Sequence, residues 1–217
     1  MVTSKLIDDL LVRVKAISDD AYLDREQVLY FLAITRDMIV KDYLDGLIKN
    51  GKAVDPFYLE RETCKSLQEE DEECVGDCDD RMFILLDKDP MSLLDDKGVL
   101  VVTTYDGVVV LKSRVESITW IKDLPYAKPT QKNPVYYRES KKIVIKGISK
   151  KNKSITYIVT YIPSLASQEL SEDEDFKIHD SLVSVLMDMV EQTVRREMGL
   201  PEDMENDGAD IKQSNGQ

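Results

Sequence analysis

The chain has 217 residues, is 42% hydrophobic and 33% charged, and carries a formal net charge of −13. That size allows one large domain or a domain with long helical arms, and the composition is that of a soluble protein. No uninterrupted apolar run approaches the roughly 20 residues a spanning helix needs, and MVTSKLIDDLLVRVK has acids inside its apolar segment and no small-residue cleavage site, so neither a membrane anchor nor a secretory signal is expected. The three cysteines, Cys64, Cys74 and Cys78, are an odd number, which argues for free thiols over a disulfide framework.

In chain order, Ser4 is placed to cap a helix running to about Ile17, with Leu6, Ile7, Leu10, Leu11, Val14 and Ile17 at helical spacing. The stretch SDDAYLD breaks it. Asp24 with Gln27 has the pattern of a capping box and predicts a second helix to about Lys49, stopped by Asn50-Gly51. Its expected apolar face is Val28, Phe31, Leu32, Ile39, Tyr43 and Leu47. The short connection makes the two helices antiparallel neighbours. Two helices alone close no core, so this pair needs a further surface.

Residues 52–80 read as irregular, and the polar CKSLQEEDEECVGDCDD as an exposed loop. From Met82 the pattern changes to short β-branched runs between turn signals: MFILL, GVLVVTTY, GVVVLKS, VYYRE, KKIVIKGI and SITYIVTYIP. Asp106-Gly107 predicts a type I′ hairpin turn, and SKKNK a hairpin loop joining the last two strands. No connection looks long enough for a helical crossover, so the sheet is expected to be antiparallel. Ser171 with Glu174 forms a second capping box, predicting a helix from about Glu172 to Met198 with Ile178, Leu182, Leu186, Met189, Val190 and Val194 on one face. Gly199 and Pro201 end it.

The expected fold is α+β. It comprises an N-terminal helical pair (1–51), an acidic loop (52–81), a central antiparallel β-sheet or small sandwich (82–165), a long C-terminal helix (166–199) and a flexible acidic tail (200–217).

Charge is unevenly laid out. Residues 99–163 hold 12 basic and 4 acidic side chains, net +8, between residues 61–98 with 5 and 13, net −8, and residues 164–217 with 4 and 14, net −10. Three readings of the basic middle are open. It is a solvated, lysine-rich edge that discourages strand pairing. Alternatively it faces the acidic flank of another copy, a head-to-tail contact that closes into a ring when the rotation allows. Or it binds nucleic acid, against the repulsion of acidic flanks within a Debye length of about 8–10 Å. Trp120, Tyr126, Tyr136, Tyr137, Tyr157 and Tyr161 lie in or beside this segment. They suit either stacking on single-stranded bases or packing in a core or interface.

Catalytic and metal chemistry finds little footing. Neither G-x-G-x-x-G, the P-loop nor G-x-S-x-G occurs. Cys64, Cys74 and Cys78 are one ligand short of a structural zinc site, and the single histidine, His179, lies far along the chain on an expected helix without an activated partner. The acidic run Glu69–Glu73 with Asp77, Asp79 and Asp80 lacks the turns that calcium requires. The segment Asp203–Ser214 starts like an EF-hand loop but ends in Ser214, where a bidentate Glu is needed.

The stretches ESITWIKDLPYAKPTQKNPVYYRESKKIVIKG, IVTYIPS and LVSVLMDMVEQTVRREMGLPEDMENDGAD resemble the neck and tail ring proteins of crAss-like tailed phages, over roughly Glu116 to Asp210. The resemblance implies a virion head–tail connector assembled in the bacterial host cytoplasm. It implies a homo-oligomeric ring of twelve, stacked on the portal protein or on an adjacent neck or tail ring, with genomic DNA passing through the lumen without sequence-specific binding. It implies no reaction, no cofactor and no metal. With the charge layout, it leads to an expected intersubunit interface of Lys141, Lys142, Lys146, Lys150, Lys151, Lys153, Trp120, Tyr136 and Tyr137. The acidic partner surface is expected at Glu172, Asp173, Glu174, Asp175, Glu202 and Asp203. The alternative is a nucleic-acid-binding accessory protein using the basic, tyrosine-containing sheet, with a small metal-assisted enzyme third.

Overall fold

The computed structural model describes residues 3–17, 23–69, 82–114, 117, 129–148, 154–166, 168 and 170–197. Trp120, Tyr126, Cys74, Cys78, most of the acidic run, the SKKNK loop and the C-terminal segment with Glu202 and Asp203 lie outside the described residues. The chain is α+β and forms two compact units: Met1–Arg36 with Leu170–Gln217, and Asp37–Glu169.

The first unit contains helix α1 (Thr3–Ile17), the start of helix α2 (Arg25–Lys49) and helix α3 (Asp180–Glu197). α1 buries Leu6, Ile7, Leu10 and Val14 at i, i+1, i+4, i+8 spacing and packs on α3, which buries Leu186, Met187, Val190 and Val194. The further surface that the N-terminal helices need is thus the C-terminal one. Gln27 accepts from the Asp24 N–H at 3.5 Å, as a capping box requires.

Ser4 does not cap α1. The Thr3 and Ser4 N–H groups instead donate to the carbonyls of Glu174 (3.1 Å) and Glu172 (3.0 Å). The turn at residues 171–174 thereby takes up donors that a helix start leaves orphaned. The same use of backbone explains why α3 begins at Asp180 and not near Glu172: residues 172–174 form a turn whose carbonyls serve α1. The Ser171 side chain accepts from the Asp173 N–H in a local turn.

The second unit is built on one eight-stranded sheet. Its strands are β1 (Glu60–Ser66), β2 (Gln68–Glu69), β3 (Met82–Leu85), β4 (Val99–Thr104), β5 (Val109–Lys112), β6 (Val135–Glu139), β7 (Lys142–Lys146) and β8 (Thr156–Tyr161). The order is β1-β8-β4-β5-β6-β7-β3-β2. β1 and β2 are one run broken at Leu67, so the sheet returns on itself as a near-barrel and leaves little open edge. Its interior holds Leu67, Met82, Ile84, Val102, Val110, Tyr136, Ile143, Ile145, Tyr157, Val159 and Tyr161. The later part of α2 adds a second cluster, Val40 and Leu44 with Tyr58, Met91, Leu93 and Ile162. Asp37 holds the chain after β8, accepting from Ser164 Oγ at 2.6 Å and from the Leu165 and Ala166 N–H groups.

Four details depart from the sequence reading. First, residues 60–69 are strands. β1 is polar and only partly buried, so it carries no apolar alternation, and backbone pairing with β8 holds it. Second, β7 and β8 are not hairpin partners: β7 lies between β6 and β3, and β8 between β1 and β4. Third, β5 and β6 pair in parallel, across the long link that contains residues 113–134. Fourth, of Asp106 and Gly107 only Gly107 takes a positive φ, at 87°, and the Gly107 N–H donates to the Thr104 carbonyl. The turn is therefore a type I turn followed by a left-handed glycine, not type I′.

Candidate assembly surfaces

The basic hairpin is β6–β7, joined by the two-residue turn Ser140-Lys141. Its alternation is sharp. Ile143 and Ile145 point into the barrel, while Lys142, Val144 and Lys146 share the outer face. Val144 is buried there against Phe83 and Tyr137. The Lys142 ammonium lies 4.7 Å from the centroid of the Phe83 ring. Lys141, in the turn, accepts through its carbonyl from the Leu86 N–H at 3.0 Å. Lys141, Lys142 and Lys146 are thus brought together at one hairpin, and Lys150, Lys151 and Lys153 lie outside the described residues.

The tyrosines serve the chain's own core. Tyr136 is 2% and Tyr137 4% exposed, and Tyr157 and Tyr161 are fully buried. Burial pushes the Tyr136 and Tyr157 hydroxyls up to about 12. Burial, with the hydrogen bond its hydroxyl donates to Glu62, raises Tyr161 further. None of these four rings has a face open to a base, so none of them stacks on nucleic acid, while Trp120 and Tyr126 lie outside the described residues.

Of the acidic set, Glu172 is engaged within its own chain. Arg25 donates to both its oxygens, at 2.6–3.0 Å, and also to Asp8 at 2.7 Å. The hydrogen bond from Arg25 holds the Glu172 carboxyl below its ordinary range. Asp173, Glu174 and Asp175 follow on the same exposed or half-buried segment, and Glu202 and Asp203 lie outside the described residues.

Two features went unread in the sequence. One is a cleft of about 470 Å³ lined by Asp95, Asp96, Lys112, Ser113, Arg114, Tyr137 and Arg138. Asp95 and Asp96 are successive non-glycine residues at φ 54° and 53°. Lys112 Nζ holds them by donating to both their carbonyls and pairing with the Asp96 carboxylate at 3.1 Å. Arg138 donates to the carbonyls of Met91 and Pro90, and burial lowers its pKa against the pull of Asp96 and Asp89. Only three-dimensional pairing brings these residues together, so nothing in the sequence marked them.

The other feature is apolar. The β4–β5 ribbon turns Val102 and Val110 inward and leaves Val101, Val109 and Leu111 outside, with Tyr105 and Val108 in its turn. The VVTTY and GVVVLK alternation carried this signal, because a ribbon apolar on both faces has one face to spare.

A near-closed sheet with a basic hairpin, an apolar outer ribbon and an acidic segment elsewhere on the same chain is the make-up of a structural assembly subunit. Residues 5–213 match the family described as phage tail ring protein 2, and the chain belongs to that family of crAss-like phages. It is thus a structural component of the phage tail, and a ring protein associates with copies of itself; the family is not one of enzymes. No curated protein matches the chain. No described helix is long and apolar enough to cross a membrane.

Proposed function

We propose that this tail ring protein is a head–tail connector: a ring of twelve copies that links the portal, directly or through a neighbouring ring, to the tail. DNA passes through its lumen without sequence-specific contact. The observation that carries this reading is the alternation of charge along one chain, +8 over residues 99–163 against −10 over residues 164–217, which suits a heterologous contact repeated around a ring. In it, Lys141, Lys142, Lys146, Lys150, Lys151 and Lys153 of one copy meet Asp173, Glu174, Asp175, Glu202 and Asp203 of the next. Glu172 contributes less, because Arg25 already holds it. Tyr136 shapes the hairpin from the barrel interior and Tyr137 from the outer face, beside Val144 and Phe83. A lumen of net negative charge lets DNA slide, since phosphate attraction dominates non-specific binding.

Replacing Lys141, Lys150 and Lys151 together by Glu is expected to abolish the ring while the monomer keeps its circular dichroism and melting temperature. Native mass spectrometry of the wild type should give about 300 kDa, twelve chains of 24.8 kDa. A triple variant that still assembles at low and high salt defeats the ionic part of the proposal; a different ring mass corrects the copy number alone.

A further inference from the structure

We propose that the outer face of the β4–β5 ribbon is one side of the contact between neighbouring copies, with a second copy of this chain as its occupant. The inference rests on ring formation and is independent of which lysines carry the ionic pairing. Val101, Val109 and Leu111 are 43%, 56% and 58% exposed, and Tyr105 and Val108 in the turn are 69% and 45% exposed. Among the described residues they form a contiguous apolar stripe on two paired strands, interrupted only by Thr103, which sits opposite Val109 in the register. A single exposed valine needs no explanation, whereas a continuous apolar face on a sheet marks an interaction surface.

β5 is also lightly tied. It pairs with β4 only through Val109 and Val110, and with β6 only through Leu111 and Lys112. A strand of this kind, apolar outward, is a liability in an isolated molecule unless something covers it.

Charge at the border points to a second copy. The ribbon runs at Leu111 into the cleft that holds Lys112, Arg114 and Arg138. Lys112 and Arg138 are engaged with Asp96 and backbone carbonyls, whereas the Arg114 guanidinium has no carboxylate within ion-pair distance among the described residues. An apolar patch with a cationic rim fits an apolar surface with an acidic rim. The same chain supplies acidic surface over residues 164–217, and a ring contact is heterologous, so each copy brings both unlike faces.

The test is made in assembled tails. A benzophenone amino acid placed at position 109 and irradiated is expected to give an adduct of two copies of this chain, mapping on the second copy outside β4 and β5. An adduct to another virion protein overturns the proposal. So does the absence of any adduct when the same probe at position 141 is efficiently captured. In parallel, the double variant Val109→Lys, Leu111→Lys alters only outward side chains, so it should melt within a few degrees of wild type and fail to form the ring. Normal ring formation by this folded variant also overturns it. If the wild-type chain forms no ring by itself in solution, the reading of self-sufficient assembly falls, while crosslinking in tails still decides the surface.

Discussion

Tyr157 brings its hydroxyl into the barrel core, where it finds no hydrogen-bond partner among the described residues. A buried polar group left unbonded costs roughly 1–3 kcal/mol. Tyr157→Phe is therefore expected to leave stability unchanged or raise it by about 1 kcal/mol, read as a urea midpoint shift at constant m-value. Tyr161 is the opposite case. Its hydroxyl donates to Glu62, which also pairs with Lys65 at 2.7 Å, and Lys65 reaches Asp87. Tyr161→Phe should lose about 1.5–3 kcal/mol in the same assay, the range of hydrogen bonds to charged groups. Glu172 gives the pH dependence at this scale. Its carboxyl is held below the ordinary glutamate value of 4.5 by Arg25, so the unfolded chain takes up the proton first. The contribution is present in full above that value and is lost as the pH falls through the lower, folded one. The melting temperature of the wild type should thus drop more than that of Glu172→Gln between pH 6 and pH 3.

At the scale of elements, the six runs from Met82 to Pro163 announced β3 to β8 because each is β-branched and bounded by turn residues. β1 was illegible for the complementary reason. In ERETCKS no residue is apolar except Cys64, which is exposed and sits at φ 58° where the register with β8 shifts. That strand exists because β8 offers it a ladder and because Glu60 and Glu62 find Lys88, Lys65 and Tyr161. Gly98, just before β4, shows a second constraint that sequence hides. A Cβ there would overlap the carbonyl oxygen of Met91, the acceptor for Arg138, and backbone cannot yield as a flexible side chain can. Gly98→Ala is expected to destabilise by about 3 kcal/mol or to prevent soluble expression, against less than about 0.5 kcal/mol for a surface change such as Lys132→Ala.

At the scale of the molecule, the two proposed contacts respond oppositely to salt. Ionic pairing across copies weakens as the Debye length shrinks from about 10 Å at 0.1 M to about 3 Å at 1 M. Burial of the β4–β5 face is not screened and is strengthened by sulfate. Sedimentation of the wild-type ring should therefore show partial dissociation in 1 M sodium chloride and recovery of the ring when ammonium sulfate replaces it. Dissociation in both salts would leave the apolar face without weight in assembly. The sequence by itself determined the α+β class, both ends of α2, six of the strands and the charge alternation, because these depend on residue spacing and on turn and cap chemistry within a few positions. Tertiary structure alone decided the strand order, the parallel β5–β6 pair, the late start of α3 and which tyrosines are core. Those outcomes depend on which distant backbone groups satisfy one another, as Glu172 and Glu174 do for the start of α1, and short-range periodicity carries no record of that choice.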